Sequence, residues 1–529
     1  MGALNRRELL GWLAGGAFGT VVASAWPGGP SAAASEGVTA DGGVTVLTGA
    51  TLIDGTGAPP LRNATVVLAG DRILAVGHRP ERPAPAGARV LDLAGRHLIP
   101  GLWDAHTHSG DLDRIFPPLH VVHGITGVRE MAGSPQVRDV RRRIERGSLL
   151  GPRMVIGGNI IDGPPGAWPG SDVVGTDAEA RVAVRKARRE HADFAKVYSY
   201  LSPEAYASVA DEARRLRLPF AGHVPARVPV DDAVRLGQHT IEHLYGMYLT
   251  TSSRARDLYA ELAAMPTDPG DPDWWGRRWW RVEREAVATH SPRRAAELFA
   301  LMIRRGVWQS PTLVAVQRFR RAADDLLNDP ELQAPLRYMP ASVRQWWEDE
   351  VRHYREPMTP EELAKWQAYF QAQLRLVKAM DEAGVGIVAG TDAGGAFIYP
   401  GLDLHSELGM LVRAGLSPMR ALQAATQAAA RCVGLERVSG TIAAGKYADL
   451  VVLDGDPLAD IGNTRRIHAV ISRGRYLGPA DRERILAEIE TAAGERTGTA
   501  DPAAMAAMAR TAGTAGTACG CHGGRLPRA

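Results

Sequence analysis

Residues 98–110 read "LIPGLWDAHTHSG", and the fold turns on how this stretch is understood. A short apolar run ends in two histidines, His106 and His108, one residue apart. The chain has 15 histidines in 529 residues, so a random order would hold an H-x-H roughly 0.4 times and the pair alone says little. On an extended strand, residues i and i+2 face the same side, so both imidazoles would point one way. Two imidazoles on one face can share a metal ion. The meaning of the pair therefore depends on the other ligands.

Working outward, apolar strands alternate with amphipathic helices, the pattern of parallel β/α units. The candidate strands are "GLWDAHTH", "GITGVREM", "RMVIGGNI", "DFAKVYSY", "LPFAGHV", "HTIEHL", "VWQSPTLVA" and "VGIVAGTDAG". Eight such units predict an α/β fold, a closed (β/α)8 TIM barrel over residues 101–438. "DAEARVAVRKARREH" and "SPEAYASVADEARRLR" carry apolar residues at helical spacing. Short β-branched runs over 44–100, and again over 439–478, predict one small β-sandwich domain built from both chain ends. A helical insertion at about 250–378 holds eight of the twelve tryptophans. In "DWWGRRWW", Trp275 and Trp279 stand one helical turn apart, as ordinary packing or as an apolar wall over the barrel mouth. Residues 485–529, rich in Ala, Thr and Gly, are expected to be disordered.

Composition narrows the function classes. Net charge is +3, from 62 Lys+Arg and 59 Asp+Glu, with no long basic block, so no nucleic-acid partner is expected. Three cysteines exclude a disulfide scaffold. Cys432 reads as a helix core residue, and Cys519 and Cys521 form C-x-C-H, one residue short of a haem attachment site. At the N-terminus Arg6 and Arg7 precede an apolar run of about 9–25 and then small residues and proline. With its linker, segment 1–35 reads as a twin-arginine-type signal peptide, predicting periplasmic or extracellular export and no stable membrane association after its removal. A retained anchor is the alternative. The run is shorter than a comfortable span of about 20 residues, which favours cleavage.

Active groups of such a barrel sit at the C-terminal ends of its strands. There the sequence places His106 and His108, Lys196, His223, His243 and Asp392. A lone strand-end histidine is usually a satisfied core residue, and a lone Asp after "GT" is often a cap. Lys196 is harder to dismiss: between Phe194, Ala195 and Val197, a bare ammonium would be costly to bury. Burial favours the neutral amine. A neutral amine can take up carbon dioxide and become a carbamate, an anion able to bridge two cations.

The pattern resembles the amidohydrolase superfamily, in its binuclear branch with a bridging carbamylated lysine. The resemblance covers roughly residues 44–478 and rests on "IPGLWDAHTH", "DFAKVY", "AGHVP", "IEHLYG" and "GTDAGG" in that order, followed by "LVRAGLSPMRALQAATQAAA" and "GTIAAGKYADLVVLDGDPL". It is most similar to the imidazolonepropionase-like group, which includes metal-dependent dipeptidases. Imidazolonepropionase itself lacks the bridging lysine, so Lys196 argues against that activity. The resemblance implies two divalent metal ions. His106, His108 and Asp392 would bind the more buried one, His223 and His243 the other, and N6-carboxylated Lys196 both. Zinc suits imidazole ligands, with manganese, cobalt and iron as alternatives. The implied reaction is amide hydrolysis by an activated water, with Asp392 as the catalytic proton carrier. A dipeptide or N-acyl amino acid is the expected small-molecule substrate, and lactones, phosphotriesters or cyclic amides are the alternatives on the same centre. Tyr198, Tyr200, Tyr245, His405 and Arg129 are candidates for substrate contact; packing is the alternative for the tyrosines, a place behind the ligands the reading for His405, and a structural ion pair the favoured reading of Arg129. Homo-oligomerisation is left open.

Two rival readings stand beside this one. "HTIEH", His239 to His243, matches the zinc-peptidase pattern H-x-x-E-H, with Glu242 as base. Gly237 and the Thr-Ile pair favour a strand there instead. A metal-free binding protein on the same barrel is the non-enzymatic alternative; all six ligand positions being filled argues against it.

Overall fold

The computed structural model describes residues 43–78, 84, 86–108, 112–168, 170–265, 279–356 and 358–495. The expected signal peptide, Trp275, Cys519 and Cys521 lie outside these residues.

Eight parallel strands run through the central sheet in sequence order: Leu102–Thr107, Ile125–Glu130, Arg153–Asp162, Phe194–Val197, Phe220–Gly222, Thr240–Glu242, Trp308–Ser310 and Gly386–Ile387, with the two-residue strand Asp172–Val173 added beside the third. They are called strands one to eight below. The first and last meet through backbone bonds: Ala105 N donates to Ala389 O, Asp392 N to His106 O and His108 N to Ala393 O. These bonds close the sheet into a barrel. Strands one and two are buried along their whole length, as expected where side chains fill the barrel on one face and helices cover the other.

The helices follow from local chemistry. Asp177–Arg189 begins at Thr176 with a capping box closed by Glu179. Pro203–Leu216 starts with a Ser202 cap and a proline in its first turn. Both bury only one stripe, Ala180, Ala183, Val184 and Ala187 in the first case. Between strands six and seven run four helices among the described residues, including Met247–Thr251 and Trp280–Ala288; the 24-residue helix Pro360–Ala383 precedes strand eight.

A second sheet of eight strands joins Val44–Leu52, Leu61–Ala69, Arg72–His78, Arg89–Asp92 and His97–Pro100 to Leu450–Leu453, Ile467–Ser472 and Arg475–Leu477. Strand His97–Pro100 pairs with Leu450–Leu453, tying the two ends of the chain together. The first strand is bulged about Ala50; before the bulge it pairs with Arg89–Asp92, after it with His97 and Leu98. A bulge that redirects a strand lets one sheet fold over its own core, here Leu47, Leu52, Val66, Leu68, Leu98 and Val452.

The C-terminal segment departs from expectation. Helix Pro479–Glu495 carries order eleven residues into the stretch expected to be disordered. Ile485, Ile489, Ala492 and Ala493 are buried and join the barrel core. The stripe at spacings of four, three and one was hidden by the Ala-rich composition that continues beyond it. Among the described residues no helix is long and apolar enough to cross a membrane.

Candidate metal centre

Strand one delivers His106 and His108 to the barrel mouth. The next turn after strand eight delivers Asp392. One ligand atom from each of the three lies within 4.8 Å of the others. Asp392 Oδ1 is 3.3 Å from Nε2 of both histidines. The His243 ring is 4.6 Å from that of His106, and the His223 ring 4.8 Å from that of His243. Lys196, on strand four, is fully buried. Burial is the largest cause that lowers the proton affinity of the neighbouring His108, His223 and His243. Lys196 Nζ is 5.6 Å from the Tyr198 ring centroid, and that ring stacks on His223 at 4.0 Å.

Each deeper histidine is held by its Nδ1. His106 Nδ1 is 2.8 Å from Glu242 Oε2, His223 Nδ1 is 2.7 Å from Ser199 Oγ and His243 Nδ1 is 2.6 Å from Thr312 Oγ1. Such partners fix ring orientation and leave Nε2 to face the centre. Burial alone would raise the Glu242 carboxyl, but the Arg129 guanidinium and His106 hold it well below the usual carboxylate range. An ionised carboxylate only accepts, so His106 carries its proton on Nδ1. Nε2 then presents a lone pair to Asp392 Oδ1. Two acceptors facing each other at that distance need a cation between them. Neither Nε2 of His106 nor either Asp392 oxygen has a hydrogen-bond partner among the described residues. The Asp392 carboxyl would be raised by burial, yet the surrounding imidazoles hold it far below its ordinary value. The donor set and its unsatisfied atoms therefore fit a divalent metal.

The backbone at the mouth is unusual. His243, Leu244, Thr312 and Asp392 all have positive φ, between 46° and 65°. Non-glycine residues rarely adopt this region, least of all β-branched threonine, and such outliers gather at functional sites. Glycines admit the close approaches. A Cβ on Gly390 would lie 2.6 Å from Ser310 Oγ and 2.8 Å from His106 Cβ. Gly222 has φ +137°, and a Cβ there would meet Val197 O at 2.1 Å and Lys196 Cδ at 3.1 Å.

Of the residues considered for substrate contact, Tyr198 and Tyr245 touch the histidine cluster. The Tyr198 hydroxyl accepts from Trp168 Nε1 at 2.7 Å. Tyr245 lies 5.0 Å from both His223 and His243, and its far edges meet Trp279 and Trp280. Tyr200 packs beside Ile160 and Tyr198. Arg129 as a substrate contact is corrected in favour of the structural ion pair: its guanidinium is buried in the barrel, where Nε donates to Ala105 O at 2.6 Å and NH2 to Glu242 at 2.8 and 3.0 Å. It balances the carboxylate behind His106 and is not presented to a ligand. His405 is corrected too. Its Nε2 donates to His123 O at 3.0 Å and its Nδ1 contacts Thr464 Oγ1 at 3.1 Å, on helix Leu402–Ala414 outside the barrel. Burial pushes it down to about 3. The zinc-peptidase rival fails on His239, whose Nε2 donates to Cys432 O at 2.7 Å.

Sequence reasoning missed Glu242 as the partner of His106, although it stands directly before His243. It also missed Asp104, which accepts from His106 N, from Thr391 N and from the Thr391 hydroxyl at 3.2, 3.0 and 2.6 Å. Asp104 thus fastens the His106 strand to the turn carrying Asp392. Its signal was its place in "WDAHTH", two residues before His106 and on the same face.

Barrel, strand-end histidines and aspartate together define a hydrolase built to hold metal. A family model described as "Amidohydrolase family" matches residues 120–477. The chain belongs to that family, whose members are hydrolases acting on carbon–nitrogen bonds and typically depend on metal. The match includes Lys196, His223, His243 and Asp392; His106 and His108 precede it. The chain is 23% identical over 485 residues to ochratoxinase of Aspergillus niger, covering 79% of this chain and 82% of that protein. Among solved structures it is similar to bottromycin amidohydrolase, with TM-score 0.67, 24% identity and coverage of 85% of this chain and 91% of the other. A Xaa-Pro dipeptidase with methionine in its active site superposes with TM-score 0.58 at 20% identity, over 82% of this chain and 100% of its own.

Proposed function

We propose that the protein is an exported hydrolase that cleaves the amide bond of a dipeptide or an N-acyl amino acid at a centre of two divalent cations, zinc by its donor set. The observation that carries this reading is the convergence of His106, His108 and Asp392 within 4.8 Å, with the rings of His243 and His223 following at 4.6 and 4.8 Å. His106, His108 and Asp392 would hold one ion and His223 and His243 the second. The neutral amine of Lys196 adds to carbon dioxide: an N–C bond forms, one C–O π pair moves to oxygen, and the nitrogen loses a proton to solvent. As its carbamate, Lys196 would serve as an anionic ligand to both ions.

When bound, such cations lower the pKa of a water from near 16 towards 7 and polarise a carbonyl. The chain does the rest. Asp392 takes the proton of the attacking water on a carboxylate oxygen and returns it to the leaving nitrogen. Glu242, Ser199 and Thr312 keep three imidazoles turned inward throughout. Tyr198, Tyr245 and Trp279 form an aromatic border that supports an apolar or aromatic substrate group. The likeness to an amidohydrolase and a dipeptidase supports an amide or peptide substrate. Export rests on Arg6 and Arg7 and the apolar run behind them.

The test is a screen of dipeptides, N-acyl amino acids, lactones and organophosphate esters on zinc-loaded protein. The reading expects hydrolysis of a dipeptide or N-acyl amino acid. Turnover confined to lactones or phosphoesters would replace it.

A further inference from the structure

Asp162 is a buried acid at the end of a barrel strand, and the proposed reaction has no use for it. Strand three, the longest of the eight, delivers it to the same rim as the histidines. Its carboxylate is fully buried and accepts from three backbone N–H groups, those of Gly163 at 2.9 Å, Ala167 at 2.8 Å and Tyr200 at 2.7 Å. Burial pushes the carboxyl up to about 6 while these donors oppose the rise, so it is ionised at neutral pH. The first two bonds hold the chain leaving strand three, and the third holds the chain leaving strand four, the Lys196 strand. Asp162 thus clamps one strand exit against the next.

The clamp places Trp168. Gly166 N donates to Gly163 O at 2.8 Å and Ser171 N to Trp168 O at 3.2 Å, so the chain carrying the indole is held on both sides. Trp168 Nε1 donates to the Tyr198 hydroxyl at 2.7 Å, and the indole packs with Ile160, Ala167 and Tyr198. Tyr198 in turn lies on His223, with ring centroids 4.0 Å apart and planes at 27°. The indole is therefore one ring removed from His223. An indole has a single polar atom, a donor, and Tyr198 takes it here. The half-buried ring offers only apolar surface to a molecule that approaches it. Its position is set before a substrate arrives, which lowers the ordering cost of binding.

We propose that Trp168 is a specificity-determining residue, the wall against which an aromatic group of the substrate packs on the Tyr198 side of the metal centre. This rests on the amide-hydrolase reading above and gives it a substrate class: amides that carry a benzene-sized ring close to the scissile bond. Asp162 is the positioning residue behind the wall, since it fixes the turn that presents the indole.

Calorimetric titration of the full-length, zinc-loaded protein with acetate, benzoate and 3-phenylpropionate tests the assignment. These carboxylates carry no amide, so their binding is read whether or not the protein hydrolyses anything. We expect at least one aromatic acid to bind at least about tenfold tighter than acetate. Trp168→Ala should cut that preference to about threefold or less, whereas Trp168→Phe, which keeps a ring and loses the N–H, should retain most of it. Trp168→Met fills the space without a ring, so it answers if the alanine variant fails to fold. With N-benzoylglycine as substrate, the loss in Trp168→Ala should appear in KM rather than in kcat. Hydrolysis of no amide, beside an aromatic preference that Trp168→Ala abolishes, would sink the amide reading and leave the wall standing. No aromatic preference in the parent protein, or one undiminished in both Trp168→Ala and Trp168→Met, would overturn the proposal; the second result would seat the ring against Tyr245 and Trp279 instead.

Discussion

At the scale of single residues, the centre is governed by side chains that touch no substrate. His106 faces inward because Glu242 holds its Nδ1 proton, and Glu242 stays ionised because Arg129 lies against it. Removing an outer-shell partner of this kind typically costs about 10–100-fold in metal affinity. Glu242→Gln should therefore weaken zinc retention by about that factor in chelator competition. Gln also strands the Arg129 charge, which threatens folding. The double variant with Arg129→Met removes that charge, and weak metal binding there would identify ligand orientation as the cause. Unchanged affinity in both variants would contradict the role. Six candidate ligand positions could be named from sequence because each ends a predicted strand in the order of a recognisable pattern, and three of them, His106, His108 and Asp392, lie within 4.8 Å of one another. Glu242 and Asp104 could not, because their task is visible only once strands distant in sequence lie side by side.

At the scale of elements, strand ends carry the chemistry and glycines let them approach. Eight strands were legible from alternating apolar runs and amphipathic helices. The boundaries were not: strand eight is reduced to Gly386–Ile387, and the rest of its predicted run turns into the loop holding Asp392 with φ 65°. Propensity cannot foresee a left-handed aspartate that neighbouring strands impose. The close packing makes a direct prediction. Gly390→Ala brings a methyl to 2.6–2.8 Å from Ser310 Oγ and His106 Cβ. Overpacking costs about 1–3 kcal/mol, so the variant should melt several degrees lower and hold less zinc. An unchanged melting temperature would mean that strands one and eight are looser than described. Arg129 and His405 show the opposite limit. Both looked like site residues from their proximity in sequence to strand ends, but Arg129 points into the barrel core and His405 packs against His123 and Thr464.

At the scale of the whole molecule, buried titratable groups couple stability to pH. Glu283, in helix Trp280–Ala288, is fully buried, accepts from the Tyr369 hydroxyl at 3.1 Å and is pushed by burial up to about 8. Its folded value is above the unfolded one, so its contribution is intact below about pH 4.5 and is lost as pH rises towards 8. Glu283→Gln removes this dependence while keeping a hydrogen-bonding side chain. The stability of the variant relative to the parent should rise by about 1.4 kcal/mol per pH unit between about pH 5 and pH 8, read by denaturant titration. A constant difference would show that the carboxyl titrates normally. The composite sheet and the buried C-terminal helix belong to this scale too. The sheet was readable in "ADLVVLD" and its partners at the other chain end, whereas the helix was masked by the alanine-rich run in which it lies.

The account as a whole depends on cations held by side chains from five barrel strands. Elemental analysis of protein loaded with zinc and bicarbonate, then dialysed, addresses that directly. The account predicts about two equivalents per chain, falling to about one or fewer in Lys196→Ala. No more than trace metal in the parent protein, or two equivalents undiminished in the Lys196 variant, would contradict it.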